Sequence, residues 1–478
     1  MIRLGGYDMV FSSLTFLMLF LPLVLGLYFV KRSVRWRNGV LLIASLVFYA
    51  WGEPVWVLAM LLSSLVNYIA GRQIEKSADP AARRVWLIAG VSVSAGILFV
   101  FKYAAFLINS ILGIFTSSLK IPVLELPIGI SFYTFQAITY TVDVYRKKDK
   151  PMKSFPDLLL YISCFPQLIA GPIVQYGDIA DRILARPHNV KRFTDGMQRF
   201  AVGLGKKVLL ANLCGMILDE LPLATNAASL SVTGAWYAAL MYALQIYFDF
   251  SGYSDMAIGL GTVFGFDYKE NFDHPYASLS VREFWRRWHI SLGAFFRDYV
   301  YIPLGGNRRG LKRTVINTLI VWGLTGMWHG AAWSFILWGL YYGVILVLDS
   351  LYLKNIIKKV PAALNWLVTF ALVLIGWVLF YYAKVGDAFT HIGAMFGIGA
   401  SFTDSASVLI MKKYSFFPLI AFIASLPVAQ KFPLLLQKTG LQRKHIDFLR
   451  VAVLSLVMVL SVLMLVGQSY NPFIYFQF

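Results

Sequence analysis

The chain has 478 residues, 58% hydrophobic and 14% charged, against about 45–50% and about 25% in soluble domains, which excludes an ordinary soluble globular protein. Its net charge of +19 comes from Lys and Arg clustered in short loops between apolar runs, the pattern of cytoplasmic loops facing anionic lipid rather than of a nucleic-acid surface. The two cysteines, Cys164 and Cys214, each lie in or beside an apolar stretch and exclude both a disulfide framework and a CxxC zinc site.

The first apolar stretch, residues 16–30, runs straight into Lys31 and Arg32 with no small-residue cleavage site, so it reads as an uncleaved span. Met9 is an alternative start. The basic loop 31–37 is expected in the cytoplasm, which puts the N-terminus outside. Residues 40–70 are too long for one straight span and are interrupted by Glu53-Pro54, which predicts a broken helix that enters and returns. Runs at 85–101, 103–119 and 126–145 follow, the last ending in Arg146, Lys147, Lys148, Lys150 and Lys153. In the next run, Pro166 and Gly171-Pro172 predict a kinked or re-entrant segment beside a cavity. Residues 178–207 are polar and basic and read as cytoplasmic amphipathic helices, followed by spans at 208–223 and 232–266.

The 232–266 run contains YFDFSGYSDMAIGLG, in which Tyr247, Ser251, Ser254 and Asp255 share a helical face and Asp249 lies to the side. Carboxylates at membrane depth need partners, and Asp249 and Asp255 are read as structural ion-pair partners of the arginines at 282–297. In that following segment Arg282, Arg286, His289 and Gly293 fall at spacings that place them on one face of a single helix. Trp285, Trp288, Leu292 and Phe296 line the adjacent face. A histidine on such a helix can also be merely solvated.

His329 stands in a run, 314–348, that has no Asp, Glu, Lys or Arg. An ionisable group there is costly unless it meets a cavity or partner, and the alternative is a neutral imidazole packed against a neighbouring helix. Gly323, Gly326 and Gly330 permit close helix approach, and Trp328 and Trp333 bracket the histidine with large rings. Further runs at 335–348, 364–382, 416–429 and 451–466 bring the expected total to about 11 to 13 membrane-embedded helices. Without internal repeats or linkers, residues 1–478 read as one polytopic domain, with a chemical middle at about 120–350 and generic helices at about 361–478.

The strings FDFSGYSDMAIGLG, FWRRWHISLGAFFRDYVYIPLGGNRRG and GMWHGAAWSFILWG resemble the membrane-bound O-acyltransferases, most closely the branch of bacterial polysaccharide O-acetylation typified by alginate O-acetylation. MVFSSLTFLMLFLPLVLGLYF, LPIGISFYTFQAITYTVDVYR, CFPQLIAGPI and NPFIYFQF extend the resemblance over nearly the whole chain. It implies an all-α membrane fold of tilted, kinked and re-entrant helices around a central funnel. The invariant histidine of the family falls on His329 and its second polar active-site position on His289.

Acyl transfer to a hydroxyl needs a base and oxyanion donors, so the resemblance makes His329 the general base. His289 would polarise the thioester carbonyl or orient the acceptor. Arg286 and Arg287, with Arg282 and Trp328 beside them, would bind a donor expected to be acetyl-coenzyme A, a substrate and not a bound cofactor. A covalent acyl-enzyme has no support in the spacing of Ser251, Ser254 or Cys164. The resemblance also implies the bacterial cytoplasmic membrane, a polysaccharide acceptor and a secreted or membrane-anchored serine-hydrolase-like acetyltransferase as partner. A sister branch transfers D-alanine to teichoic acid; YIPLGGNRRG favours acetyl. A transporter or channel is the rival class, but the paired broken halves usual in transporters are not evident.

Overall fold

The computed structural model describes residues 9–115, 121–169, 171–224, 226–428 and 442–467 together with Asn471 and Ile474. The end of the 103–119 run, Ala170 of CFPQLIAGPI, the end of the 416–429 run and the rest of NPFIYFQF lie outside the described residues. Among the described residues the regular structure is helical, with one isolated β-bridge between Phe272 and Trp288. Contacts divide the chain into two units, Met1–Phe200 with Tyr253–Lys269, and Ala201–Gly252 with Glu270–Phe478.

The first unit opens with α1 (Phe16–Val30), α2 (Val34–Gly52), α3 (Val57–Lys76) and α4 (Pro80–Phe115). The chain breaks at Glu53-Pro54, as the missing proline N–H requires, and Glu53 Oε1 accepts the backbone N–H of Ile128 at 3.1 Å. Buried polar side chains clasp α3, α4 and α5 (Ile130–Tyr145). Asn67 Nδ2 donates to Ser94 Oγ at 2.7 Å, and Thr141 Oγ1 donates to Asn67 Oδ1 at 2.6 Å. In lipid, where apolar contact between helices gains little, such bonds and close packing hold neighbours together. The run containing Pro166 is broken into α6 (Phe155–Ser163), one turn at Phe165–Leu168, and extended backbone leading to α7 (Tyr176–Leu184). Phe165 sits in a knot of rings with Phe11, Phe16, Phe20 and Phe48.

The chain passes between the units within α8 (Val190–Glu220) and α9 (Val232–Val263). This corrects one expectation: the polar stretch up to Lys207 and the apolar run from Val208 form one helix of 31 residues, not a cytoplasmic helix and a separate span. A π turn at Lys206–Ala211 carries the junction, and Lys207 is buried because it has a carboxylate partner, described below.

The second unit continues with α10 (Val281–Arg287), α11 (Ile290–Phe296), α12 (Leu311–His329), α13 (Trp333–Leu353), α14 (Ala362–Tyr381) and α15 (Val385–Met395). It ends with α16 (Ser405–Lys413), α17 (Phe417–Ser425) and α18 (Arg443–Gly467). α12 and α13 form an antiparallel pair in which Gly326 and Gly339 face each other. A Cβ on Gly339 would lie 3.0 Å from Gly326 Cα and collide with the carbonyl oxygen of Trp322, so two glycines are the condition for this approach. Among the described residues, six helices (α3, α4, α8, α13, α14 and α18) are long and apolar enough to cross a membrane, or seven if the bent pair α16–α17 counts as one span. The protein is an all-α, multi-pass membrane protein.

Candidate active site

The segment expected to be one amphipathic helix is two short ones. Ser280 Oγ caps α10 by accepting the Glu283 N–H at 3.1 Å, while Glu283 accepts the Leu279 N–H at 2.9 Å. α10 then stops at Arg287. The Arg287 carbonyl accepts the Asp273 N–H at 2.9 Å, Trp288 bridges Phe272, and the Ile290 N–H donates to the Asn271 carbonyl at 3.0 Å. Between the helices His289 takes a left-handed backbone, φ 47°, a conformation that costs a non-glycine residue about 1–3 kcal/mol and is found chiefly where the surroundings enforce it. Its ring is buried, with Nδ1 3.2 Å from Asn271 Oδ1 and the centroid 4.7 Å from that of Phe250, edge to face. Burial of this kind favours the uncharged imidazole.

His329 is the last residue of α12, where the helix meets the Gly330 turn. Its buried ring makes edge-to-face contacts with Trp328, Trp338 and Phe380, each with centroids 4.9 Å apart. It borders a cavity of about 10 Å³, roughly one water molecule, with Ile246, Phe250, Trp288, Trp338, Trp377 and Phe380 as the other walls. His289 borders a second cavity of about 200 Å³, lined by Trp285, Trp288, Leu292, Phe296, Arg297, Tyr301 and Trp322 among others. Trp288 belongs to both walls. Trp328 stands near both histidines, its ring 5.8 Å from that of His289 and 4.9 Å from that of His329. In the second unit His289 and His329 therefore lie on either side of one shared ring, that of Trp328, within a cluster of aromatic side chains.

The arginines fall elsewhere. The helix break separates His289 from Arg282 and Arg286, so the expected shared cationic face does not form. Arg282 Nε lies 2.5 Å from Asp349 Oδ2, Arg287 Nη2 lies 2.8 Å from Glu283 Oε1, and Arg286 is exposed. Of the basic side chains, Arg297 lines the larger cavity, with Nε 2.7 Å from Asp298 Oδ1. The expected partners of the two aspartates are also corrected. Asp249 Oδ1 meets Lys207 Nζ at 2.7 Å and its Oδ2 accepts the Ile474 N–H at 2.8 Å, all within the second unit. Asp255 belongs to the first unit, where Arg199 donates to its Oδ1 from Nε at 3.1 Å and from Nη2 at 2.9 Å. Ion pairs form with whatever helix lies alongside, and α8 runs beside α9.

Sequence reasoning missed Asn271, which carries no motif, and Phe250, hidden in a string read for its carboxylates. It also treated residues 361–478 as generic, yet α14 supplies Trp377 and Phe380 to the His329 cavity. Their spacing of three places both on one helical face, a signal indistinguishable from ordinary packing. Cys164 and Cys214 are buried, free thiols away from both cavities' walls.

Comparison with known proteins fits this geometry. Residues 143–385, which enclose both histidines, match the model of MBOAT, the membrane-bound O-acyltransferase family. The chain is similar to the "Probable alginate O-acetylase AlgI" of Pseudomonas putida, 40% identical over 98% of this chain and 100% of the relative. It is similar to the "Peptidoglycan O-acetyltransferase" of Helicobacter pylori, 34% identical over 82% of this chain and 80% of the relative. It is also similar to the "Teichoic acid D-alanyltransferase" of Streptococcus thermophilus, 28% identical over 48% of this chain and 58% of the relative. An all-helical membrane chain with two buried histidines in one aromatic site, matched by the family model over half its length and by relatives from end to end, belongs to the membrane-bound O-acyltransferase family and is an O-acyltransferase.

Proposed function

We propose that this protein is a membrane O-acetyltransferase of the bacterial cytoplasmic membrane, moving acetyl from cytoplasmic acetyl-coenzyme A toward the hydroxyls of an extracytoplasmic polysaccharide, with His329 as general base. The observation that carries the proposal is the burial of His329 at the end of α12, beside a cavity walled by aromatic rings. In such a site a neutral imidazole can take a proton that water would otherwise compete for. His329 removes the hydroxyl proton as the oxygen attacks the thioester carbonyl. The tetrahedral intermediate then expels the thiolate, which recovers that proton from the imidazolium as the ester forms.

Acetyl is supported over larger groups by the modest cavity of about 200 Å³ next to His289, and over D-alanyl by relatives named as O-acetylating enzymes that align across most of this chain. Polysaccharide acceptors are suggested by those same names. Arg286, exposed on α10, is suited to meet donor phosphates. A secreted or membrane-anchored serine-hydrolase-like acetyltransferase is the proposed partner that finishes the transfer to glycan.

The test is acetyl transfer from labelled acetyl-coenzyme A by purified protein in vesicles. His329→Ala is expected to insert and melt as the parent does while losing transfer to background. Parental activity in that variant would remove His329 from the chemistry, and a parent protein inert toward acetyl-coenzyme A would remove the donor.

A further inference from the structure

The side-chain amide of Asn271 determines a proton position. Its Oδ1 lies 3.2 Å from the backbone nitrogen of Ser291, and a backbone N–H only donates, so the atom there is the amide oxygen and not its nitrogen. Ser291 Oγ donates to the same oxygen at 2.8 Å. His289 Nδ1 lies 3.2 Å from it, and facing an oxygen that only accepts, that nitrogen must carry the hydrogen. Asn271 is 1% exposed and His289 2%, so the arrangement is shielded from competing water. A neutral imidazole has one N–H. With it on Nδ1, Nε2 keeps its lone pair.

We propose that Asn271 is a positioning residue that holds His289 in the Nδ1–H tautomer, so that His289 offers substrate a hydrogen-bond acceptor at Nε2 and not a donor to the thioester carbonyl. This rests on the acyl-transfer reading above and narrows it: of the two roles open to His289, polarising the carbonyl needs an N–H at the reacting end, whereas orienting the acceptor needs a lone pair. The reacting hydroxyl gives its proton to His329, so the group that His289 accepts from is a second O–H of the acceptor, as a sugar with neighbouring hydroxyls provides. The backbone reinforces the assignment. The Phe272–Trp288 bridge and the bond from the Ile290 N–H to the Asn271 carbonyl hold the two chain segments in register, and the left-handed turn at His289 sets the ring on Asn271 while leaving it in the cavity wall.

The test uses full-length protein with 15N-labelled histidine in nanodiscs, the His289 signals being those lost in His289→Gln. In the parent, Nδ1 is expected to resonate as protonated and Nε2 as a lone-pair nitrogen. Asn271→Leu is expected to scramble or reverse this order and to lower transfer about 100-fold, with kcat and not KM carrying the loss. Asn271→Asp, whose carboxylate accepts the same donors, is expected to keep the tautomer and most of the activity. A protonated Nε2 in the parent overturns the proposal without any variant having to fold. So does Asn271→Leu that keeps the tautomer, or Asn271→Asp that keeps it and loses transfer. The acyl-transfer reading fails separately: a parent protein that shows the expected tautomer but transfers no acetyl would leave the proton assignment intact and deprive it of a catalytic use, whereas normal transfer by His289→Ala would overturn the acceptor-binding role given to His289.

Discussion

Lys207 and Asp249 form an ion pair of 2.7 Å in which both side chains are only 3% exposed, and Asp249 Oδ2 also accepts the backbone N–H of Ile474. Asp249 immediately precedes Phe250, whose ring packs on His289, so this pair fixes a wall of the site. Removing one partner of a buried pair leaves an uncompensated charge at a cost of about 3–5 kcal/mol, whereas replacing both by apolar groups is often nearly neutral. Asp249→Leu and Lys207→Met should each lower the detergent melting temperature sharply. The double variant should recover most of the loss, falling short by the unbonded Ile474 N–H at about 1–3 kcal/mol. Additive single losses in the double variant would show that the two side chains do not act as a pair.

The close crossing of α12 and α13 predicts a second effect. A methyl on Gly339 would press on Gly326 and on the Trp322 carbonyl, forcing apart the helix pair that ends at His329. Displacing a catalytic group by about 1 Å can cost about 10²-fold in rate. Gly339→Ala is therefore expected to insert normally and lose most of its kcat, read in the vesicle assay. Gly323→Ala, where a Cβ meets nothing within 4 Å, is the control and should be nearly silent. Equal losses in the two would mean that helix approach is not what matters.

The arginines of α10 should separate by function. Arg286→Ala is expected to raise the apparent KM for acetyl-coenzyme A more than it lowers kcat, because a phosphate contact remote from the reacting carbonyl contributes uniform binding. Arg282→Ala leaves Asp349 without its 2.5 Å partner and should instead lower stability. An Arg286→Ala enzyme with unchanged donor dependence would place the phosphates elsewhere.

Acid should destabilise the first unit through His188, in the segment between α7 and α8. Burial pushes this imidazole down to about 4, and the guanidinium groups of Arg37, Arg186 and Arg192 add to the effect. The unfolded chain titrates near 6.5. Between those values the unfolded state binds the extra proton, so stability is complete above about pH 6.5 and declines as pH falls toward 4. His188→Gln should flatten the fall in melting temperature between pH 7 and pH 4.5. A variant with the same slope as the parent would sink this account.

Composition and local pattern alone determined the class of the molecule. Apolar run length requires helices in a membrane because every backbone polar group must be satisfied within its own segment. Glu53-Pro54, Pro166 and Gly171-Pro172 break those helices because proline lacks an N–H whatever surrounds it. His329 was conspicuous because it stands alone in a run without charge. The division of 281–296 into α10 and α11 was not legible, since the helical spacing is unbroken and the interruption comes from pairing with Phe272, outside the segment. The ion-pair partners of Asp249 and Asp255 were not legible either, because a carboxylate pairs with whichever cation the packing brings alongside, and that was α8. The walls contributed by Trp377 and Phe380, and the proton placed on His289 by Asn271, depend on residues far apart in the chain meeting in space. Periodicity reports which face of a helix is apolar, but only tertiary packing decides what that face meets.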